Sequence, residues 1–563
     1  MDPCHRYLED LGSLKAGVKE RIKSLEQKNI LTALEKKDPS IWTDSIEGQK
    51  EIAIRLGWLN APQEGFAMIP LLENLHNSLI NEGYTKAVLI GMGGSSLAAE
   101  VMSKILGVQN RGLELRILDS TDPAQVKHIF EWLDIEKTVF LISSKSGGTA
   151  EVMAGFQYAW KQVEEKVKEE PGSHFIAVTD PGTALQKLAE EHHFRIIVNA
   201  DPNVGGRYSA LIAFGLVPAA LLGTPLKAFL ESAQRMQFNC SASQPAGENP
   251  GLVLGAILGE AYLAGMDKLT ILTDPSWSSF GSWVEQLVAE SSGKEGRGIL
   301  PIDQEPLMQP ETYSQDRLFI YVRKDGDLDD QVTKLKDFGH PVLILDVSNE
   351  YSLASEFYRW EFATAIACAI IGVNAFDQPD VQDSKTRTKQ KIKVLQETGK
   401  LELERPLCEN EQFKIFTNIE IGCGSNPSLK IVLHRFLEDA VPTDYVAINA
   451  FLERNPQNFE KLQEMRTYIA NQFHLATTLG FGPRFLHSTG QLHKGGKNNG
   501  FFIVITMDEE QNMPVPNQGI SFKELLYAQA LGDIEALKAA GRRVLYVHLK
   551  SPELRGLLDE LKN

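Results

Sequence analysis

Short β-rich runs alternate with longer amphipathic stretches through the chain, and this alternation limits the fold more than any other feature. The first runs are Ala87–Ile90, Leu115–Leu118, Val139–Ile142, Phe175–Val178 and Ile196–Val198. A second series follows at Leu269–Leu272, Leu318–Val322 and Val342–Leu345, and a third at Phe501–Ile505 and Val544–His548. Strands separated by helices need crossover connections, which place helices on both faces of a parallel sheet. Residues 1–80, rich in Glu, Lys and Leu with few turn signals, are expected to be helical.

The third series echoes the second. Arg317 opens an apolar run that leads through Gly326 and Gly339 to Val342, and Gly500 opens one that leads through Gly532 and Gly541 to Val544. This layout suggests a partial internal duplication, although any two strand–helix–strand units share some likeness.

A chain of 563 residues has room for roughly three or four domains, each able to bury a core. Its 57 basic and 74 acidic side chains leave a formal charge of −17. That argues against a general nucleic-acid partner, whose phosphates need a basic face. A small anionic substrate stays possible, because a local cluster of donors can hold phosphate inside an acidic protein. Cys4, Cys240, Cys368, Cys408 and Cys423 lie far apart with no Cys-x-x-Cys spacing, which fits a reducing compartment. Met1 to Gly12 has no apolar signal-like run, and Pro218 interrupts the apolar stretch Ala210–Gly223. The expectation is a soluble cytoplasmic protein with no membrane partner.

Two strand-to-helix turns carry most of the chemistry. The first is Gly91-Met92-Gly93-Gly94-Ser95-Ser96, where glycines let backbone approach a ligand at a helix N-terminus. A dinucleotide fold is the competing reading, with Asp119 in the ribose position, but Ser96 stands where a third glycine is needed. The second is Ser143-Ser144-Lys145-Ser146-Gly147-Gly148-Thr149, before a helix starting near Glu151. One hydroxyl suffices for capping, so several hydroxyls and a lysine at one turn point to a phosphate cradle. Nothing here matches a Walker A loop. His192-His193 has no acidic partner at ligand spacing, so no metal is read there.

Together, Gly91–Leu97 and Ser143–Glu151 resemble the sugar isomerase domain family, a doubly wound fold that binds phosphosugars with a Ser/Thr loop. Four further segments narrow the resemblance to the glucose-6-phosphate isomerase family. They are Val204–Ser209 with its glycine–arginine turn, Gln286–Lys294, Gly372–Val381 with Lys385, and Leu486–Gln491. The resemblance implies two doubly wound α/β parallel-sheet domains at 81–225 and 226–400. An N-terminal helical segment (1–80) and a C-terminal α/β extension (401–563) complete the expected organisation. The order Glu290, Lys385, His487 departs from the usual family pattern, in which the histidine precedes the lysine. It looks like the isomerase half of bifunctional transaldolase–isomerase fusions, although residues 1–80 leave no room for a transaldolase barrel.

The implied activity is interconversion of glucose 6-phosphate and fructose 6-phosphate, in glycolysis and gluconeogenesis, with no cofactor and no metal. Glu290 would move the proton between C1 and C2, with Gln286 one helical turn earlier holding a sugar hydroxyl. Arg207 would bring positive charge to the developing enediolate. His487 would shuttle the ring-opening proton, since histidine titrates near working pH. His493 competes for that role, and Lys385 would assist at the ring oxygen or hold the histidine's partner. Gly93, Gly94, Ser95, Ser144, Lys145, Ser146, Thr149 and Gly206 would bind substrate or its phosphate. Alternatives are an enzyme that also takes mannose 6-phosphate and a phosphosugar-sensing regulator. The family usually forms homodimers that share the histidine; here a monomer or a homodimer is open, with the appended region able to complete the site within one chain.

Overall fold

The computed structural model describes residues 7–401, 404–422, 427–508, 512–554 and 557; Cys4 and Cys423 lie outside them. Three sheets form the frame. The first holds β1 (Lys86–Gly91), β2 (Glu114–Leu118), β3 (Thr138–Ser143), β4 (Phe175–Thr179) and β5 (Ile196–Asn199), in order β2-β1-β3-β4-β5 and parallel throughout. The second holds β6 (Lys268–Thr273), β7 (Leu300–Asp303), β8 (Arg317–Arg323) and β9 (Val342–Asp346), in order β7-β6-β8-β9 and again parallel. The third is mixed. It runs β10 (Cys408–Glu409), β11 (Phe413–Thr417), β15 (Arg543–Leu549), β14 (Gly500–Met507), β12 (Tyr445–Phe451) and β13 (Ala476–Phe481), with β11 antiparallel to both its neighbours.

The expected strands of the first series are all present; β1, β3 and β4 are buried on both faces as a covered parallel sheet requires, while the edge strands β2 and β5 are partly exposed. Ala87 and Leu89 of β1 point into a core shared with the second sheet, while Val88 and Ile90 point into a separate core beneath the helix Ala150–Lys166. Residues 1–80 are helical where described, with helices such as Leu14–Gln27 and Ile69–Asn81. They pack into the core common to both parallel sheets: Arg21 meets Glu260 at 2.9 Å, and Trp42 stacks edge-on against Phe376. Three described cysteines, Cys240, Cys368 and Cys408, are buried. No described helix is long and apolar enough to cross a membrane.

β7 and β10–β13 were not expected. β7 contains Pro301, which lacks a ladder donor and is tolerated because β7 is an edge strand. The glycine correspondence behind the suggested duplication also needs correcting. Gly339 and Gly541 do occupy matching left-handed positions after their helices. Gly326, however, lies in the turn before its helix, whereas Gly532 lies inside the helix Phe522–Ala539. A Cβ at Gly532 would stand 2.7 Å from Thr388 Oγ1, so this glycine serves close packing on the helix Val381–Thr398.

Candidate active site

The chain leaves β1 toward β2 on one side of the first sheet and returns to β3 on the other. This reversal opens a crevice at the strands' carboxyl ends, where open α/β sheets bind ligands. Both chemical turns border it. Gly93 adopts φ +55°, and a Cβ there would stand 2.9 Å from both Gln286 Nε2 and the His487 carbonyl oxygen. A Cβ at Gly94 would meet the Gly206 carbonyl oxygen at 2.0 Å. These two glycines therefore let three remote segments close on one point, beyond any approach to ligand. Ser209 Oγ clasps the join, 3.1 Å from the Gly94 carbonyl and 2.5 Å from that of Gly206. Ser95 extends the turn, its carbonyl accepting from Ser143 Oγ at 2.8 Å.

In the second turn, Ser144 Oγ accepts from the Gly147 N–H at 3.1 Å and Ser146 Oγ from the Gly148 N–H at 3.3 Å. Each hydroxyl keeps its own proton to donate. Thr149 precedes the helix Ala150–Lys166 with no side-chain capping bond. These hydroxyls stand at the start of that helix, the end whose dipole favours negative charge. Lys145 departs from expectation. Its ammonium donates to the carbonyls of Pro202 (3.2 Å) and Val204 and lies 3.4 Å from Asp180, so it ties down the loop before Arg207. Burial pushes its pKa below the ordinary lysine value.

Glu290 lies near the end of the helix Phe280–Ser292, on the same face as Gln286. Gln286 Nε2 donates to Glu290 Oε2 at 3.1 Å and to the His487 carbonyl at 2.8 Å, which leaves its own buried Oε1 without a partner. Arg207 Nη1 stands 3.3 Å from Glu290 Oε1. Its remaining donors go to Ser291 Oγ (2.8 Å), Gln378 Oε1 (3.0 Å) and the carbonyls of Ala375 (2.8 Å) and Asp377 (2.9 Å). The guanidinium is thus a buried clamp between the Glu290 helix and segment 375–378, with its charge beside the carboxylate.

His487 closes the crevice from the third region, in the short helical turn Arg484–His487 after β13. Its Nε2 lies 3.0 Å from Oε1 of Glu151, in the first turn of the helix Ala150–Lys166. The same carboxylate oxygen accepts from Gln529 Nε2 at 2.7 Å, and Gln529 Oε1 accepts from Thr121 at 2.6 Å. Burial pushes Glu151 up, but His487, then its own backbone N–H and last Lys385 outweigh it and hold the carboxyl below its ordinary range. Lys385, exposed on the helix Val381–Thr398, therefore belongs to the same electrostatic group. His493 does not compete. It is fully buried against Phe485 and Phe502, neither ring nitrogen has a hydrogen bond, and burial pushes its pKa well down. Asp119 is likewise committed, to Arg484 at 2.6 Å.

Sequence reasoning missed Glu151, Gln529, Gln378 and Gln491. Glu151 ends the Ser/Thr motif, where a first-turn acid reads equally well as a helix-dipole partner. Gln491 bonds the Gly293 carbonyl at 2.9 Å and Asp380 Oδ2 at 2.5 Å, fastening the third region to the end of the Glu290 helix. A Cβ at Gly293 would fall 2.4 Å from Leu492 Cα, so that junction also needs its glycine.

Residues 79–298 match the family model described as phosphoglucose isomerase. Among curated relatives, the glucose-6-phosphate isomerase of Methanocaldococcus jannaschii is 28% identical over 360 residues, which cover 57% of this chain and 88% of that one. That of Acaryochloris marina is 35% identical over 218 residues, 38% of this chain and 40% of the relative. Among solved structures, a hypothetical protein from Thermus thermophilus aligns with TM-score 0.56 at 23% identity, covering 67% of this chain and 98% of its own. A glucose-6-phosphate isomerase from Chlamydia trachomatis aligns with TM-score 0.54 at 17% identity, covering 68% and 86%. These two structures share the fold.

Proposed function

We propose that this chain, whose residues 79–298 match the family model described as phosphoglucose isomerase, interconverts glucose 6-phosphate and fructose 6-phosphate through a cis-enediol. The observation that carries the reading is the meeting of Glu290, Gln286 and the Glu151–His487 pair at one switch-point crevice. In this reading the phosphate sits on the hydroxyls of Ser144, Ser146 and Thr149. His487, with one ring nitrogen held by Glu151, passes the ring-opening proton, and Lys385 adds positive charge at that end. Glu290 then carries the proton between C1 and C2. Arg207 acts through Glu290, because its donors are already committed to protein groups. The sugar-hydroxyl role falls to the unpartnered Oε1 of Gln286.

The order Glu290, Lys385, His487 supports the finer reading that this is the isomerase type found fused to transaldolases. The widely separated cysteines, buried where described, fit a reducing, cytoplasmic setting.

A coupled assay on glucose 6-phosphate and mannose 6-phosphate, with and without EDTA, tests the function. Turnover of glucose 6-phosphate in EDTA is expected; no turnover of either sugar would overturn the reading.

A further inference from the structure

Behind the His487 turn lies a cavity of about 470 Å³, walled by Glu100, Glu285, Asp303, Arg454, Arg466 and Arg484 among others. Glu285 immediately precedes Gln286 on the Glu290 helix. Its Oε1 lies 3.3 Å from Oγ of Ser488, the residue after His487. The same hydroxyl lies 3.4 Å from the Phe485 carbonyl. A serine hydroxyl has a single proton, so it must share that proton between two acceptors unless Glu285 is protonated and donates to it.

The charges around Glu285 favour that arrangement. Arg484 is held by Glu100 and, at 2.6 Å, by Asp119. Arg454 (2.7 Å) and Lys104 (2.9 Å) also go to Glu100. Arg466 donates to Thr477, to Gln463 and to the carbonyls of Asp303 and Gln304. Asp303 brings a second carboxyl to the same wall, bonded to Ser282 Oγ and Gln304 Nε2, each at 3.2 Å. An ionised Glu285 would thus face another acid; the charges of Arg484, already paired with carboxylates, and of Arg466, bonded to neutral groups, oppose burial only in part.

We propose that Glu285 acts as a protonated positioning residue, donating to Ser488 and thereby fixing the turn that presents His487 to the crevice. The fixed turn also supplies the His487 carbonyl that orients Gln286 at 2.8 Å. Burial, reinforced by the charge of Asp303, pushes Glu285 up to about 8, and burial pushes Asp303 to about 6. Ionisation in alkali removes the donor, sets two negative charges together and releases the turn, while Glu290 keeps its own partners.

The activity readout rests on the isomerase reading, so a second readout independent of turnover accompanies it. kcat/KM for fructose 6-phosphate is measured from about pH 6 to pH 9 in wild type and Glu285→Gln, each profile normalised to its own maximum. Glutamine keeps a neutral donor and cannot ionise, so at about pH 9 wild type should fall about tenfold further than the variant. In parallel, melting temperatures are compared across the same range. A folded-state value raised from 4.5 to about 8 means that folding takes up a proton, so the contribution of Glu285 weakens as pH rises through that window. The variant should therefore gain on wild type from about pH 6 to about pH 8 and level off above it. Superimposable activity profiles, or a melting difference that does not change with pH, would overturn the proposal. Absence of turnover in both proteins would instead count against the isomerase reading and leave the melting comparison to decide the role of Glu285.

Discussion

Glu151 and His487 are 336 positions apart in the chain and 3.0 Å apart in space, carboxylate oxygen to ring nitrogen. The pair joins the first parallel sheet to the appended mixed-sheet region, so one chain brings together every group assigned to the reaction. Gln491 and Leu492 seat the same region on the end of the Glu290 helix.

A self-contained site predicts failed complementation. Glu290→Gln and His487→Ala chains, each weakly active, are unfolded, mixed and refolded together. Activity should not exceed the sum of the two, because every chain still lacks one group. Strong recovery would mean that subunits share sites. A sedimentation mass near 62.5 kDa at assay concentration is the companion expectation.

Glu151→Gln should keep the shape of the pair and remove its charge. We expect kcat on closed-ring glucose 6-phosphate to fall about 10²-fold, within the span of general acid–base effects. Stability supplies a second check. The folded-state value of Glu151 is depressed, so its contribution is present above the unfolded value and lost as pH falls through the folded one. Wild type should then lose melting temperature in acid, below about pH 4.5, more steeply than the variant does. Parallel curves would contradict the ion pair.

Ser144→Ala combined with Thr149→Ala removes two hydroxyl donors from the proposed phosphate cradle. Hydrogen bonds to a charged group contribute about 1.5–3 kcal/mol each, so KM should rise about 10²-fold or more, with a smaller effect on kcat. Unchanged binding of fructose 6-phosphate would move the phosphate site to the Gly91–Ser96 turn.

Gly94→Ala tests the closure of the glycine loops. Its Cβ would stand 2.0 Å from a backbone oxygen that no side-chain rotation can move. Overpacking of this kind costs about 1–3 kcal/mol, and the accompanying shift of Gly206 should also lower kcat. Wild-type stability and rate would show that the loops have slack.

Much of this was legible in the sequence because the informative residues sit at repeating places. Buried parallel strands such as Val139–Ile142 announce themselves as apolar runs, and the Ser/Thr turn stands directly after one. Glu290 and Gln286 are four apart, so their shared face follows from helical periodicity alone. What escaped depends on distance in the chain. Gln529 lies in a helix whose sequence gives no hint that it reaches Glu151, 378 positions away. Lys145 reads as a phosphate ligand until the loop at 202–204 takes its ammonium. β7 was hidden by Pro301, which only an edge position accommodates.

The central claim is that Glu290 carries a proton between C1 and C2, and hydrogen exchange tests it most directly. Glucose 6-phosphate is incubated with enzyme in deuterated water, and the fructose 6-phosphate formed is examined for deuterium at C1. Wild type should incorporate solvent deuterium. Glu290→Gln should lose both exchange and turnover by about 10²–10⁴-fold, while still binding a sugar-acid phosphate inhibitor. Exchange in the variant at the wild-type rate would contradict the account.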